Sequence, residues 1–137
     1  SFVRVNADRP FFDVNAMNKM VKIYFNNDYD IITNQFPRSL PKGLACEVAN
    51  AKIFHEIRNL KLLKSEYEHI FNFFYKRNKN YKIKNLVDKF YKKKMHLNMS
   101  IDTKKQFKKV KTVYGKLNAF SHVDTKVVIN KYGRFFL

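Results

Sequence analysis

The sequence predicts an α+β fold that is mainly α: short N-terminal strands, then three to four helices and a C-terminal β-hairpin. Three observations predict it. Alternation of apolar and polar residues is confined to the region before Leu44 and to the last few positions. Between those ends, apolar residues recur every three to four positions, the spacing of a helix face. Pro37, Pro41 and Gly43 cluster where one pattern gives way to the other. The 137 residues, 45% of them hydrophobic, suit a single domain over 1–137 with one ordinary core. Within it, 1–43 forms a β/irregular segment and 44–137 a basic helical segment.

The elements follow in order. "SFVRV" alternates as a strand until Pro10 interrupts, and "MVKIYF" places Val21, Ile23 and Phe25 on one face of a second strand. "NNDYD" reads as a turn and "IIT" as the returning strand. From Leu44, the series Ile53, Ile57, Leu60, Tyr67, Phe74 is helical, split in two because Ser65 and Glu68 match a capping box. A helix over 82–94 turns Ile83, Leu86, Val87, Phe90 and Tyr91 inward. Another, over 103–120, turns Phe107, Val110, Tyr114 and Leu117 inward. "TKVVINKYGRFFL" reads as strand, turn and strand around Gly133.

Charge is the outlying property. The net charge is +17, carried by 22 lysines and six arginines. Residues 1–50 are nearly neutral, and the excess lies beyond them. Lys82, Lys84, Lys89, Lys92, Lys93, Lys94, Lys104, Lys105, Lys108, Lys109 and Lys111 face only Asp88 and Asp102 between 81 and 111. Like charges at i,i+4, as at Lys104/Lys108 and Lys105/Lys109, destabilise a helix unless something negative lies against them. An AT-rich coding bias also raises Lys, Asn, Ile, Phe and Tyr together, but it does not explain the asymmetry between the two parts.

These features lead to the expectation of a non-enzymatic nucleic-acid-binding protein. DNA or RNA would be held by lysine–phosphate contacts with little sequence specificity, because lysine is a point charge rather than a base-reading fork. The expected contact residues are the eleven lysines above with Lys116, Lys131 and Arg134. The order of elements from 48 to 137 resembles that of a winged helix-turn-helix, which implies Lys104 to Lys111 toward DNA and Lys131 and Arg134 on the wing. The alternative is a structural or protein-interaction module, such as a viral assembly component. It would meet an acidic partner and cover its N-terminal phenylalanines by homo-oligomerisation.

Signals for catalysis are weak. Cys46 and His55 lie nine apart, on opposite sides of a helix, and Cys46 reads as a small core residue. His55-Glu56 lacks a second histidine, His69, His96 and His122 are isolated, and Asp28 and Asp30 suit a turn better than a metal. Glycines at 43, 115 and 133 form no phosphate-cradling loop. The reading therefore includes no catalytic residue, metal or cofactor. A single cysteine and the lack of a 20-residue apolar run suggest an intracellular setting without a transmembrane segment, nuclear or virion-associated.

Overall fold

The computed structural model describes residues 1–117 and 123–137. Its centre is a four-stranded mixed sheet built from β1 (Phe2–Arg4), β2 (Ile31–Thr33), β3 (Glu47–Ala49) and β4 (Ile83–Asn85), in the order β1-β3-β2-β4. β3 runs antiparallel to both β1 and β2, while β2 and β4 are parallel. Strands from both sides of position 43 thus share one sheet. The order of a helical domain ending in a wing is not found.

Two rows of side chains explain the layering. Ile31 and Ala49 are register partners on one face, and Ile32 and Val48 are partners on the other. All four are buried, so the "IIT" strand is apolar on both sides, as a central strand must be. One face is covered by α1 (Val14–Phe25), through Met20 with Met17, Val21 and Tyr24. The other is covered by α2 (Lys52–Ile57) and α4 (Phe71–Lys76), through Ile53, Ile57, Phe71 and Phe74, with α3 (Lys64–Glu68) between them in the chain. A third cluster joins Phe11, Leu40, Leu44, Leu97 and Met99 to α6 (Lys104–Leu117) and α7 (Thr125–Tyr132).

Several expected elements change type, each for a physical reason. "MVKIYF" lies in α1: the spacing 17, 20, 21, 24 outweighs the alternation, and Asp13 caps the helix by accepting the Ala16 amide at 3.0 Å. Phe25, placed inward by the strand reading, is exposed. The stretch 82–94 is not one helix but β4 followed by α5 (Lys89–Lys92). The open edge of β2 captures β4, helped by the Asp30 carboxylate accepting the Lys82 amide at 2.8 Å. Between 44 and 77, β3 and three short helices replace two long ones; Glu66, not Glu68, reaches back, to the Leu63 amide at 2.9 Å.

The tail is α7 and a 3₁₀ turn over Gly133–Phe136 rather than a hairpin. Asp124 caps α7 by accepting the amides of Lys126 and Val127, which outweighs the β-branched run. α6 falls inside the expected 103–120, whose last three positions lie outside the described residues. Its buried positions are Val110 and Val113, whereas Phe107 is exposed.

Two segments distant in sequence meet at Gly43. The Lys42 amide donates to the Leu97 carbonyl at 3.2 Å, and the Met99 amide to the Lys42 carbonyl at 2.8 Å. Gly43 has φ +91°, and a Cβ there would lie 2.5 Å from the Met99 carbonyl carbon and 2.8 Å from its oxygen. Left-handed strain and a backbone clash add. Gly43→Ala is expected to cost about 2–4 kcal/mol, read as a lowered urea midpoint with an unchanged slope.

Candidate functional site

Beyond the carboxyl ends of the parallel strands β1 and β2 lies a polar cleft of about 450 Å³, the position where open α/β sheets hold ligands. Asp8 and Arg9 reach it from the segment after β1, and Arg38 and Lys42 from the loop after β2. His69 follows α3, and Asp102 precedes α6. Acidic and basic groups therefore converge from four separate parts of the chain.

The local geometry separates bracing groups from free ones. The Arg9 guanidinium donates to the Ala45 carbonyl, fixing the back wall. Asp8 is held through its main chain, whose carbonyl accepts the Ile101 amide at 2.9 Å. Its carboxylate Oδ1 is buried, has no hydrogen-bond partner among the described residues, and lies 3.9 Å from Arg9 Nε. A buried carboxylate oxygen with no donor is costly unless a ligand completes it.

On the opposite wall, Lys42 Nζ and Asp102 Oδ2 pair at 2.7 Å, and Ser100 Oγ donates to the same oxygen at 2.8 Å. The Lys42 hydrogen bond, then that of Ser100, holds the Asp102 carboxyl below its ordinary range. What this pair contributes is present at neutral pH and lost only as pH falls through that lowered value. His69 Nε2 sits 4.0 Å from Glu68 Oε1 at the exposed rim.

Behind the cleft, the sheet carries a polar row. Arg4, Glu47 and Thr33 are register neighbours across three strands. Tyr75 Oη lies 2.9 Å from Thr33 Oγ1 and donates to Glu47 Oε1 at 3.3 Å, while Arg4 Nη1 stands 3.7 Å from that oxygen. Burial pushes the Glu47 carboxyl up, opposed by the Arg4 and Arg9 charges. Thr33 Oγ1 accepts the Gln35 amide at 3.0 Å, which ties the row to the cleft wall. Cys46 is fully buried and its thiol is pushed up to about 12 by desolvation, which removes it as a nucleophile.

None of the fourteen basic residues expected to contact nucleic acid lines this cleft. Lys82 and Lys84 lie at β4, and Lys82 is paired with Asp28. Lys89 and Lys92 belong to α5, with Lys93 and Lys94 just after it. Lys104, Lys105, Lys108, Lys109, Lys111 and Lys116 are on α6; Lys109 Nζ donates to the Leu137 carbonyl and Lys116 Nζ lies 4.9 Å from the Phe135 ring centre. Lys131 lies in the last turn of α7, and Arg134 sits in the 3₁₀ turn rather than a wing. Asp8, Arg38, Lys42 and Asp102, which the sequence reading passed over as site residues, carry no motif spacing; only the chain fold brings them together. Among the described residues, no three His, Cys, Asp or Glu side chains cluster to hold a metal ion, and no helix is long and apolar enough to cross a membrane.

Comparison with known proteins replaces the nucleic-acid reading. No protein-family model matches the chain. It is 25% identical over 135 residues to the spore coat polysaccharide biosynthesis protein SpsF of Bacillus subtilis, covering 96% of this chain and 54% of that protein. Its fold is similar to that of a cytidylyltransferase from Leptospira borgpetersenii, with a TM-score of 0.82 and 23% identity over 98% of this chain and 57% of that one. The chain thus spans about half the length of both. Neither is a DNA-binding or viral protein by name, and one is an enzyme of nucleotide chemistry. These likenesses overturn the expected mainly helical fold, the non-enzymatic nucleic-acid binder with its nucleic-acid partner, and the viral assembly alternative. The nuclear or virion-associated setting loses its support with them.

The polar row and the cleft pair are expected to separate under mutation. Tyr75→Phe strips a donor from buried Glu47 and should cost about 1–3 kcal/mol by urea denaturation. Asp102→Asn, at an exposed pair, should leave the thermal midpoint within about 2 °C.

Proposed function

We propose that this chain forms the acceptor side of a nucleotidyltransferase site, one that passes a cytidylyl group to a sugar. The observation that carries this reading is the Asp8 carboxylate at the cleft, one oxygen of which has no hydrogen-bond partner among the described residues, with Arg38 and Lys42 lining the same cleft. The relative's role in polysaccharide biosynthesis supports a sugar acceptor, and the similar structure supports cytidylyl transfer.

The chemistry follows from the groups present. A sugar hydroxyl oxygen attacks the α-phosphorus of cytidine triphosphate; the new O–P bond forms as the α–β phosphoanhydride breaks, and pyrophosphate leaves with the electron pair. The hydroxyl must lose its proton as it attacks. Asp8 accepts a hydrogen bond from the acceptor hydroxyl and orients it, and His69 at the rim is the group suited to take the proton. Arg38 and Lys42 face the negative charge that develops on phosphate oxygens. With no glycine-rich loop in the 137 residues, the chain offers little with which to grip a triphosphate, so its part is to present the acceptor.

Saturation-transfer NMR with neutral, amino and acidic monosaccharides tests this reading. One sugar class is expected to bind. Asp8→Asn should weaken that sugar by about tenfold or more while the fold persists. Absence of saturable binding by every sugar class, or an affinity indifferent to Asp8→Asn, would overturn it.

A further inference from the structure

A second cleft, of about 430 Å³, opens between the start of α1, the loop after β2 and α5. It lies on the other side of the loop that carries Arg38 and Lys42, and among the described residues only Leu40 lines both clefts. Its inner wall is built rather than incidental: Asp13, Asn34, Ser39, Leu40 and Tyr91 are all buried there. Leu86 and Val87 add an apolar side, and Val87 is half exposed. Buried polar groups converging beside apolar surface are the usual make-up of a small-molecule site.

The charges decide what such a site takes. Both acids are satisfied by the protein. Asp13 Oδ1 accepts the Ala16 amide at 3.0 Å, and its Oδ2 accepts the Tyr91 hydroxyl. Asp88 Oδ1 accepts the Phe90 amide at 2.8 Å, and its Oδ2 pairs with Lys126 Nζ at 2.7 Å. Lys126 is further held 5.4 Å from the ring centres of both Phe90 and Tyr91. Lys19 on α1 and Lys89 on α5 are both exposed at the rim with no ion pair among the described residues, and because Asp13 is met only by neutral donors, the three lysines and two aspartates of the lining leave one positive charge in excess.

We propose that this cleft binds a small phosphomonoester with an apolar body, its phosphate between Lys19 and Lys89 and its body against Leu40, Leu86 and Val87. Two lysine point charges suit a dianionic phosphate, whose geometry needs no planar fork. The volume accommodates a compact ligand of this kind. This inference rests on the second cleft alone and stands apart from the sugar site.

Phenyl phosphate carries both required features and is the probe. Calorimetric titration of the full chain in about 50 mM salt keeps lysine–phosphate attraction measurable. One phenyl phosphate per chain is expected, bound about tenfold or more tightly than either phenol or inorganic phosphate. Lys19→Glu and Lys89→Glu should each weaken it by about tenfold or more, and Lys→Arg at either position should retain it. Lys105→Glu, an equal change of charge on α6 outside the lining, should leave it unchanged. Lack of saturable binding overturns the proposal. So does equal weakening by Lys105→Glu, or a loss caused by Arg38→Ala in the first cleft but not by the two lysine reversals. Circular dichroism confirms that the variants stay folded.

Discussion

The close approach of Lys42-Gly43 to Leu97–Ser100 is the constraint on which the rest of the molecule depends. Here the segment leading into β3 lies directly against the segment leading into α6, with two backbone hydrogen bonds and no room for a side chain at position 43. On one side of the seam, Leu40, Leu44, Leu97 and Met99 enter the same apolar cluster as Val113 and Val128, so the helical C-terminal part is fastened to the sheet. On the other side, the same backbone holds Lys42 opposite Asp102 and Ser100. These polar side chains line the first cleft.

The buried row behind it is a second fixed feature. A carboxylate on a central strand is unfavourable unless its charge is met, and Glu47 meets only part of what it needs: Arg4 and Tyr75 engage Oε1, while Oε2 is buried with no hydrogen-bond partner among the described residues. A hydrophobic residue in its place would lose the row that joins β1, β2 and α4 at one level. Because Thr33 passes that order to the Gln35 amide, the row sets where the loop after β2 leaves the sheet, and with it where Arg38 and Lys42 sit. The polar residues of the interior thus specify position more than they add stability.

Local patterns showed some of this and concealed the rest. The strand "IIT", the break at Pro37 to Gly43, the apolar run through Ile53, Ile57 and Phe74, and the helix from Lys104 were visible, because each depends on its own neighbours. "MVKIYF" and "KIKN" were misread because each fits both periods over a few residues. Partners far along the chain decided between them: the sheet face under Met20 for the first, the open edge of β2 for the second. The tail was misread because Asp124, a single capping carboxylate, outweighs a β-branched run. The site was invisible in principle. Asp8, Arg38, Lys42 and Asp102 are spread over 94 positions with no spacing rule, whereas the lysines are conspicuous and lie on β4, α5, α6 and the tail rather than on one surface element. Net charge reported composition, whereas the site is marked by Asp8, a carboxylate whose buried oxygen has no hydrogen-bond partner among the described residues.

The loop between the two clefts also determines how they relate. It spans from Asn34 to Gly43 and is braced along its length: Cys46 donates its amide to Asn34 Oδ1 at 2.9 Å, Ser39 Oγ reaches the Asn34 carbonyl at 3.4 Å, and Arg38 Nε donates to the Leu40 carbonyl at 3.0 Å. Leu40, the side chain common to both clefts, is 3% exposed and locked among Phe11 and the C-terminal cluster. A ligand in one cleft can influence the other only by binding two states of this partition unequally. A side chain set in a close-packed core has no second position of comparable energy. The packing that fixes Leu40 therefore gives the two clefts no mobile side chain in common among the described residues, and ligands in them are expected to bind independently.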